Sequence, residues 1–102
     1  MHYRAKVDVI QPDVTKQLRQ MGCRVQPLHT VGKGFGDLLV AYRYVVAILE
    51  LKSGTKAAKH KKTDADQAKF KREWGDDIHV LTVTSPEDAI AQVRHLFFRS
   101  GL

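Results

Sequence analysis

The sequence predicts an α/β fold in which a mixed central sheet is flanked by helices, and three observations support this class. Apolar residues recur at helical spacing in three segments. Four other segments are short and rich in β-branched and apolar residues, which is typical of strands. The segments follow one another as helix, three strands, helix, strand and helix. With 102 residues, of which 43% are hydrophobic, the chain is expected to form a single domain spanning residues 1–102.

The three predicted helices each combine an apolar face with start and stop residues. They cover residues 12–21, about 63 to 74, and 86 to about 98. Gln11, Thr63 and Ser85 are the predicted N-caps, because each comes just before its periodic segment. Gly22 and Gly75 are the predicted stops of the first two helices.

The four predicted strands cover residues 23–29, 37–42, 45–51 and 78–84. Pro27 cannot donate a hydrogen bond to a neighbouring strand, so the first strand is expected at an edge of the sheet. The segment "VGKGFG", residues 31–36, is a predicted loop. The lysine-rich segment "SGTKAAKHKKT", residues 53–63, is a predicted surface loop, because it has few apolar residues and many charges.

The charge balance favours a polyanionic partner. Lys and Arg total 17 against 11 Asp and Glu, which gives a net charge of +6 and a pI of about 9.7. Such an excess is typical of proteins that bind nucleic acid. The single cysteine, Cys23, excludes an internal disulfide and a cysteine zinc site, and it indicates the cytoplasm. No apolar run approaches the roughly 18 residues of a membrane span, so no membrane association is expected.

The stretch "GFGDLLVAYRYVVAILELK", residues 34–52, places charged residues on strands that otherwise look like core. A hairpin closed symmetrically about the pair Arg43 and Tyr44 puts Asp37 opposite Glu50. Directly opposed residues have Cβ atoms about 4.5–5.5 Å apart, and like charges at that distance repel. The sequence therefore predicts two neighbouring carboxylates on one face of the sheet.

These two carboxylates need protons or a cation. Both faces of the second hairpin strand are apolar, so it is predicted to be central and covered on two sides. A hard divalent ion such as Mg²⁺ satisfies both acids, since it prefers carboxylate oxygens. Lys52 would then lie beside the ion. An alternative is that Glu50 and Lys52 lie at the end of the strand and form an ordinary surface ion pair.

The same residues resemble a known nuclease signature. Asp37, twelve intervening residues, and then Glu50-Leu51-Lys52 resemble the D…(D/E)-x-K motif of the PD-(D/E)XK nuclease superfamily. The glycine-rich loop, "GDLLV", "ILELK" and Gln67 on the next helix resemble its VRR-NUC branch, in particular the small standalone phage and prophage members. The resemblance covers about residues 8–91. It implies an αβββαβ core followed by a C-terminal helix.

The resemblance also implies a reaction. Asp37 and Glu50 would be metal ligands, with the backbone carbonyl of Leu51 as a third, and the ion would be Mg²⁺ or Mn²⁺. Lys52 would activate the attacking water and stabilise charge on the phosphate, and Gln67 would reach the same site. The implied activity is that of an endonuclease on branched or structured DNA, similar to Holliday-junction resolvases. The implied assembly is a homodimer in a bacterial or phage-infected cell.

The chain departs from the family pattern at two places. Gly36 stands before the aspartate where the family often has proline, which changes the loop but removes no ligand. Relatives commonly carry a glutamate on the first helix, and here the candidates are Asp8, Gln11 and Asp13. Gln11 in that place would leave one ligand neutral and weaken a second metal ion. The number of metal ions in the site, one or two, is therefore left open.

Basic residues near the predicted site are expected to contact the DNA backbone: Lys33, Lys56, Lys59, Lys61 and Lys62. Lysine runs are also typical of plain solvated surface. Two alternatives from other functional classes remain. One is a catalytically inactive nucleic-acid-binding module with the same fold, and the other is an interaction protein whose acids simply pair with Lys52.

Overall fold

The computed structural model describes residues 9–31, 34–52 and 61–101. These residues form α1 (Gln11–Met21), β1 (Arg24–Pro27), β2 (Leu38–Tyr42), β3 (Val45–Leu51), α2 (Lys61–Trp74), β4 (His79–Val83) and α3 (Pro86–Ser100). The predicted order of elements and the α/β class are confirmed. Across these residues, no helix has the length and apolar character needed to cross a membrane.

Helix α1 begins one residue earlier than predicted. Ile10 is the N-cap, and its carbonyl accepts the first helical hydrogen bond from the Val14 N–H at 3.0 Å. The prediction of Gln11 as N-cap was therefore wrong, because Gln11 already has helical backbone and lies in the first turn. Pro12 fits this turn, where its missing N–H leaves no bond unmade. Gly22 ends the helix at a left-handed φ of 106°.

The four strands form one mixed sheet in the order β1-β2-β3-β4. Strands β1, β2 and β3 pair antiparallel, and β3 pairs parallel with β4. A parallel pair needs a crossover connection, and α2 lies within it. Strand β1 is an edge strand, which confirms the position predicted from Pro27.

The turn between β2 and β3 sets the register of the sheet centre. Arg43 and Tyr44 have φ values of 48° and 73°, which is the geometry of a two-residue primed hairpin turn. Leu38 then pairs with Leu49, as the symmetric hairpin predicts. The Arg43 guanidinium lies over the Phe97 ring, 5.7 Å from its centre, and so joins the turn to α3. The predicted register is confirmed.

Alternate residues of β3 point to different layers. Ala47, Leu49 and Leu51 belong to the apolar core that the sheet forms with α1 and α3. We call this side of the sheet the core face. Ile48 and Glu50 point to the opposite side, where α2 lies, and we call it the α2 face. Because both faces are covered along this part of β3, the strand is buried on two sides, as predicted.

Helix α2 begins at Lys61, two residues before the predicted cap at Thr63. Lys61 and Lys62 therefore belong to a helix, and their prediction as loop residues was wrong. Lysine is a good helix former, and the segment that follows contains no glycine or proline before Gly75. The Gly75 N–H donates to the Lys71 carbonyl at 2.8 Å, just after the helix ends. The rest of the predicted loop, residues 53–60, lies outside the described residues.

Cys23 lies in the core between α1 and β1. Burial raises the pKa of its thiol to about 11. The thiol stays protonated at neutral pH and is a poor nucleophile.

Candidate functional site

Asp37 lies immediately before β2 and is fixed against the end of β3. Its backbone N–H donates to the Leu49 carbonyl at 2.8 Å. Its Oδ2 accepts a hydrogen bond from the Leu51 N–H at 2.7 Å. Leu49 is also the partner of Leu38, so Asp37 does not continue the β2–β3 register to the direct pair with Glu50 that the symmetric hairpin predicted. Asp37 is therefore held at the end of β3, near enough to Glu50 for its charge to raise the pKa of that carboxyl.

Glu50 is a buried carboxylate in the centre of the sheet, with only 1% of its surface exposed. It lies in register with Thr82 of β4. Its Oε2 is 3.6 Å from the Nζ of Lys71 on α2. Its Oε1 is buried and has no hydrogen-bond partner among the described residues. A buried polar atom without a partner costs about 1–3 kcal/mol and more when charged, so this oxygen calls for an explanation.

The charges around Glu50 act in opposite directions. Burial is the largest effect, and it raises the pKa of Glu50 above its usual value. The positive charges of Lys71 and Lys52 lower this pKa, while the neighbouring Asp37 raises it. The structure therefore brings together Asp37, Glu50 and Lys52, three of the residues that the sequence places in one site.

Lys71 is the member of this cluster that sequence reasoning missed. Its side chain is 44% exposed, and its Nζ reaches both Glu50 and the Oγ1 of Thr82, the latter at 3.2 Å. It therefore ties α2 to β3 and to the edge strand β4. A signal was present: Lys71 is four residues after Gln67, and residues at that spacing share one helix face.

The glycine-rich loop docks onto α2 near Gln67. Gly34 has a φ of 75°, and a Cβ there would come within 2.4 to 2.6 Å of the backbone of Asp66 and Gln67. Only glycine allows this approach without a shift of the chain. Gln67 is half-buried, one turn before Lys71. The loop that leads into Asp37 and the helix that carries Gln67 are thus in direct contact.

Aromatic rings reinforce the same contact. Phe35 of the loop packs 4.9 Å from Phe70 and 5.5 Å from Trp74, measured between ring centres. Phe70 is buried. Trp74 lies in the last turn of α2, and nearly half of its surface is exposed.

The candidates for a site residue on the first helix are Gln11, Asp13 and Asp8. Gln11 is buried in the first turn of α1, and its Oε1 has no hydrogen-bond partner within the residues described. The structure does not connect this oxygen to Asp37 or Glu50. Asp13 is exposed on the same helix, and Asp8 lies outside the described residues. A role for Gln11 in the site stays a prediction.

The predicted DNA-backbone lysines are largely untested by the structure. Lys33, Lys56 and Lys59 lie outside the described residues. Lys61 and Lys62 lie at the start of α2, and their side chains are outside the described part. Their contact with phosphates therefore stays a prediction.

The ligand set can be assessed for a divalent cation. Within residues 9–31, 34–52 and 61–101, no group of three or more His, Cys, Asp or Glu side chains is placed to hold a metal. The candidate site instead offers two carboxylates, Asp37 and Glu50, and the Leu51 backbone carbonyl. This set fits Mg²⁺, which needs few protein ligands because it retains several waters. The unpartnered Oε1 of Glu50 is the atom that such an ion would satisfy.

Comparison of the chain with known protein families, curated proteins and solved structures finds no match. The resemblance to VRR-NUC nucleases therefore stays a prediction.

Proposed function

We propose that the protein is a Mg²⁺- or Mn²⁺-dependent endodeoxyribonuclease of the VRR-NUC type, with a PD-(D/E)XK fold, that hydrolyses phosphodiester bonds in branched or structured DNA. The observation that carries this proposal is Glu50. Its carboxylate is buried with an unpartnered oxygen, near the charges of Asp37 and Lys52. The chain around it has a net charge of +6, which suits a polyanionic substrate.

In this proposal Asp37, Glu50 and the Leu51 carbonyl hold the cation. When bound, the ion supplies Lewis-acid polarisation of the phosphate and lowers the pKa of a bound water. The Leu51 N–H fixes the Asp37 carboxylate through Oδ2. Orientation of the ligands thus comes from the strand backbone.

Lys52 has the role of orienting the attacking water and stabilising charge on the scissile phosphate. Its backbone is fixed by a hydrogen bond from its N–H to the Val83 carbonyl, at 2.8 Å. Lys52 directly follows the last residue of β3, and this bond fixes its backbone to β4. Gln67 would approach from α2 and contact the water or the phosphate.

A homodimer in the bacterial or phage-infected cytoplasm completes the proposal. One site on a 102-residue chain offers little surface for DNA, and two copies related by a twofold axis would present two sites to a branched substrate. Cleavage of both strands would then follow from symmetry.

The decisive experiment is cleavage of labelled four-way-junction and linear DNA, with Mg²⁺, with Mn²⁺ and with EDTA. We expect metal-dependent cutting of the junction and a loss of at least about 100-fold for Asp37→Asn, Glu50→Gln and Lys52→Ala. Asp37→Asn is a sharp variant because its remaining carbonyl oxygen can still accept from Leu51.

Two matched controls test whether the loss of activity is specific to the site or follows from removing any carboxylate. Asp76→Asn and Glu73→Gln remove exposed carboxylates of the same types, and both should cut at the wild-type rate. Metal-independent cutting, or equal activity of Glu50→Gln and wild type, would contradict the proposal.

One observation favours a second candidate, the inactive nucleic-acid-binding module. Lys71 already provides a positive charge 3.6 Å from Glu50, so the buried acid is partly neutralised without metal. Under this alternative the protein binds DNA with equal affinity in Mg²⁺ and EDTA, and no cleavage occurs. An electrophoretic mobility shift run beside the cleavage assay distinguishes the two.

A further inference from the structure

Lys71 and the proposed cation compete for the same carboxylate. In the structure the Lys71 ammonium lies 3.6 Å from the Oε2 of Glu50. We propose that Lys71 is an internal counter-ion that stabilises Glu50 while no metal is bound and that a divalent cation must displace. This inference rests on the proposed metal site but goes beyond it, because it assigns a positioning residue outside the sequence motif.

The contact has the properties of a replaceable one. Charge-assisted N–H···O bonds are typically about 2.7–2.9 Å long, so 3.6 Å is a loose ion pair. Lys71 is 44% exposed, and its ammonium has a second partner, the Thr82 hydroxyl, at 3.2 Å. Its release from Glu50 therefore leaves neither a buried charge nor an unpartnered ammonium.

Glu50 has the opposite properties. It is 1% exposed, so its carboxylate cannot be hydrated in place of the lost lysine. One of its oxygens faces Lys71 and the other has no described partner. A divalent cation that binds this carboxylate brings two positive charges next to the ammonium. The ion and the ammonium repel each other, so binding of the metal weakens the contact between Lys71 and Glu50, and that contact weakens metal binding.

The test is the affinity for Mg²⁺ alone, measured by calorimetric titration without DNA. We compare wild type with Lys71→Met at pH 8.5, where protons compete least for carboxylates. Lys71→Met should bind Mg²⁺ at least about fivefold more tightly, and saturating Mg²⁺ should raise its Tm by more than it raises that of wild type. Equal or weaker binding by Lys71→Met overturns the proposal.

Lys69→Met is the matched control, because it removes an exposed lysine of the same helix two residues away. It should leave the Mg²⁺ affinity at the wild-type value. An equal gain in both variants would mean that a general loss of positive charge is responsible, and this would also overturn the proposal.

A measurement on the wild-type protein covers the case in which Lys71→Met does not fold. The side-chain NMR signal of Lys71, assigned by its loss in Lys71→Arg, should shift on Mg²⁺ addition with the same midpoint as metal binding. An unchanged signal at saturating Mg²⁺ overturns the counter-ion role.

The failure of this inference is distinguishable from failure of the proposed function. If wild type and Lys71→Met bind Mg²⁺ equally, only the counter-ion role fails. If neither binds Mg²⁺, the metal site and the counter-ion role fail together.

Discussion

The two faces of the sheet use the same strand in different ways. On the core face, Leu49 and Leu51 of β3 pack with α1 and α3 in an apolar cluster. On the α2 face, one residue along, Glu50 is equally buried but carries a carboxylate with an unpartnered oxygen. Two adjacent positions therefore have similar burial and opposite chemistry.

This difference shows where stability and function separate in a small domain. Burial of Leu49 stabilises the fold through apolar contact, whereas burial of charged Glu50 opposes folding. Lys71 offsets part of that cost from outside the strand. A residue that costs free energy at the centre of the sheet is best explained by a site that needs it.

The largest effect is expected on the core face. Leu49 is fully buried, so Leu49→Ala should lower the free energy of unfolding by about 2–5 kcal/mol. Val46→Ala, on the same strand but partly exposed on the α2 face, should cost about 0.5 kcal/mol or less. Urea unfolding followed by circular dichroism measures both, and equal losses would contradict the contrast between the faces.

An intermediate effect is expected where the loop meets α2. Gly34→Ala places a Cβ against the backbone of Asp66 and Gln67 at a left-handed φ, and it should cost about 2–4 kcal/mol. Gly22→Ala is the matched control, since its φ is also left-handed but its Cβ would meet no atom within 4 Å. It should cost only about 1 kcal/mol. Thermal unfolding compares them, and a cost for Gly34→Ala no larger than the control would mean that the loop adjusts freely.

The smallest effect, and one of opposite sign, is expected for Glu50→Gln in EDTA. Because the folded state raises the pKa of Glu50, the unfolded state releases this proton first as pH rises. The contribution of Glu50 to the free energy of unfolding of wild type therefore decreases as pH rises above the pKa of about 4.3 in the unfolded state. The decrease stops once pH passes the pKa of Glu50 in the folded state. Glutamine does not titrate, so the variant should be more stable than wild type at pH 8 and equal to it near pH 4.

Urea unfolding at these two pH values measures the difference. Glu73→Gln, which removes an exposed carboxylate, should show no such pH-dependent gain. A Glu50→Gln variant that is less stable than wild type at pH 8 would mean that the pair with Lys71 outweighs the cost of burial.

Local patterns predicted most of the fold. The two-residue turn at Arg43 and Tyr44 has an even length, so its centre determined which residues of β2 and β3 face each other. Pro27 identified the edge strand because it lacks a donor. Errors occurred at helix starts, at Gln11 and at Lys61, because several neighbouring residues there can adopt helical backbone at similar cost.

The site was predictable only where it lies on neighbouring strands. Asp37 directly precedes β2 and Glu50 lies near the end of β3, so the pairing of these two strands brings them near each other, although not as a direct pair. Lys71 comes from a crossover helix whose position depends on tertiary packing, including the contact of Gly34 with α2. Lys71 is far from Glu50 in the sequence, so this ion pair could not be predicted from local patterns. Its spacing from Gln67 shows only that the two residues share one helix face.

The single cysteine has a practical consequence. The Cys23 thiol is sealed between α1 and β1, and it is protonated at neutral pH. Because only 5% of Cys23 is exposed, an alkylating reagent should react with it mainly when the folded state opens. The rate at which Cys23 is labelled therefore measures how often the folded state opens. A ligand that binds only the folded state should lower this labelling rate.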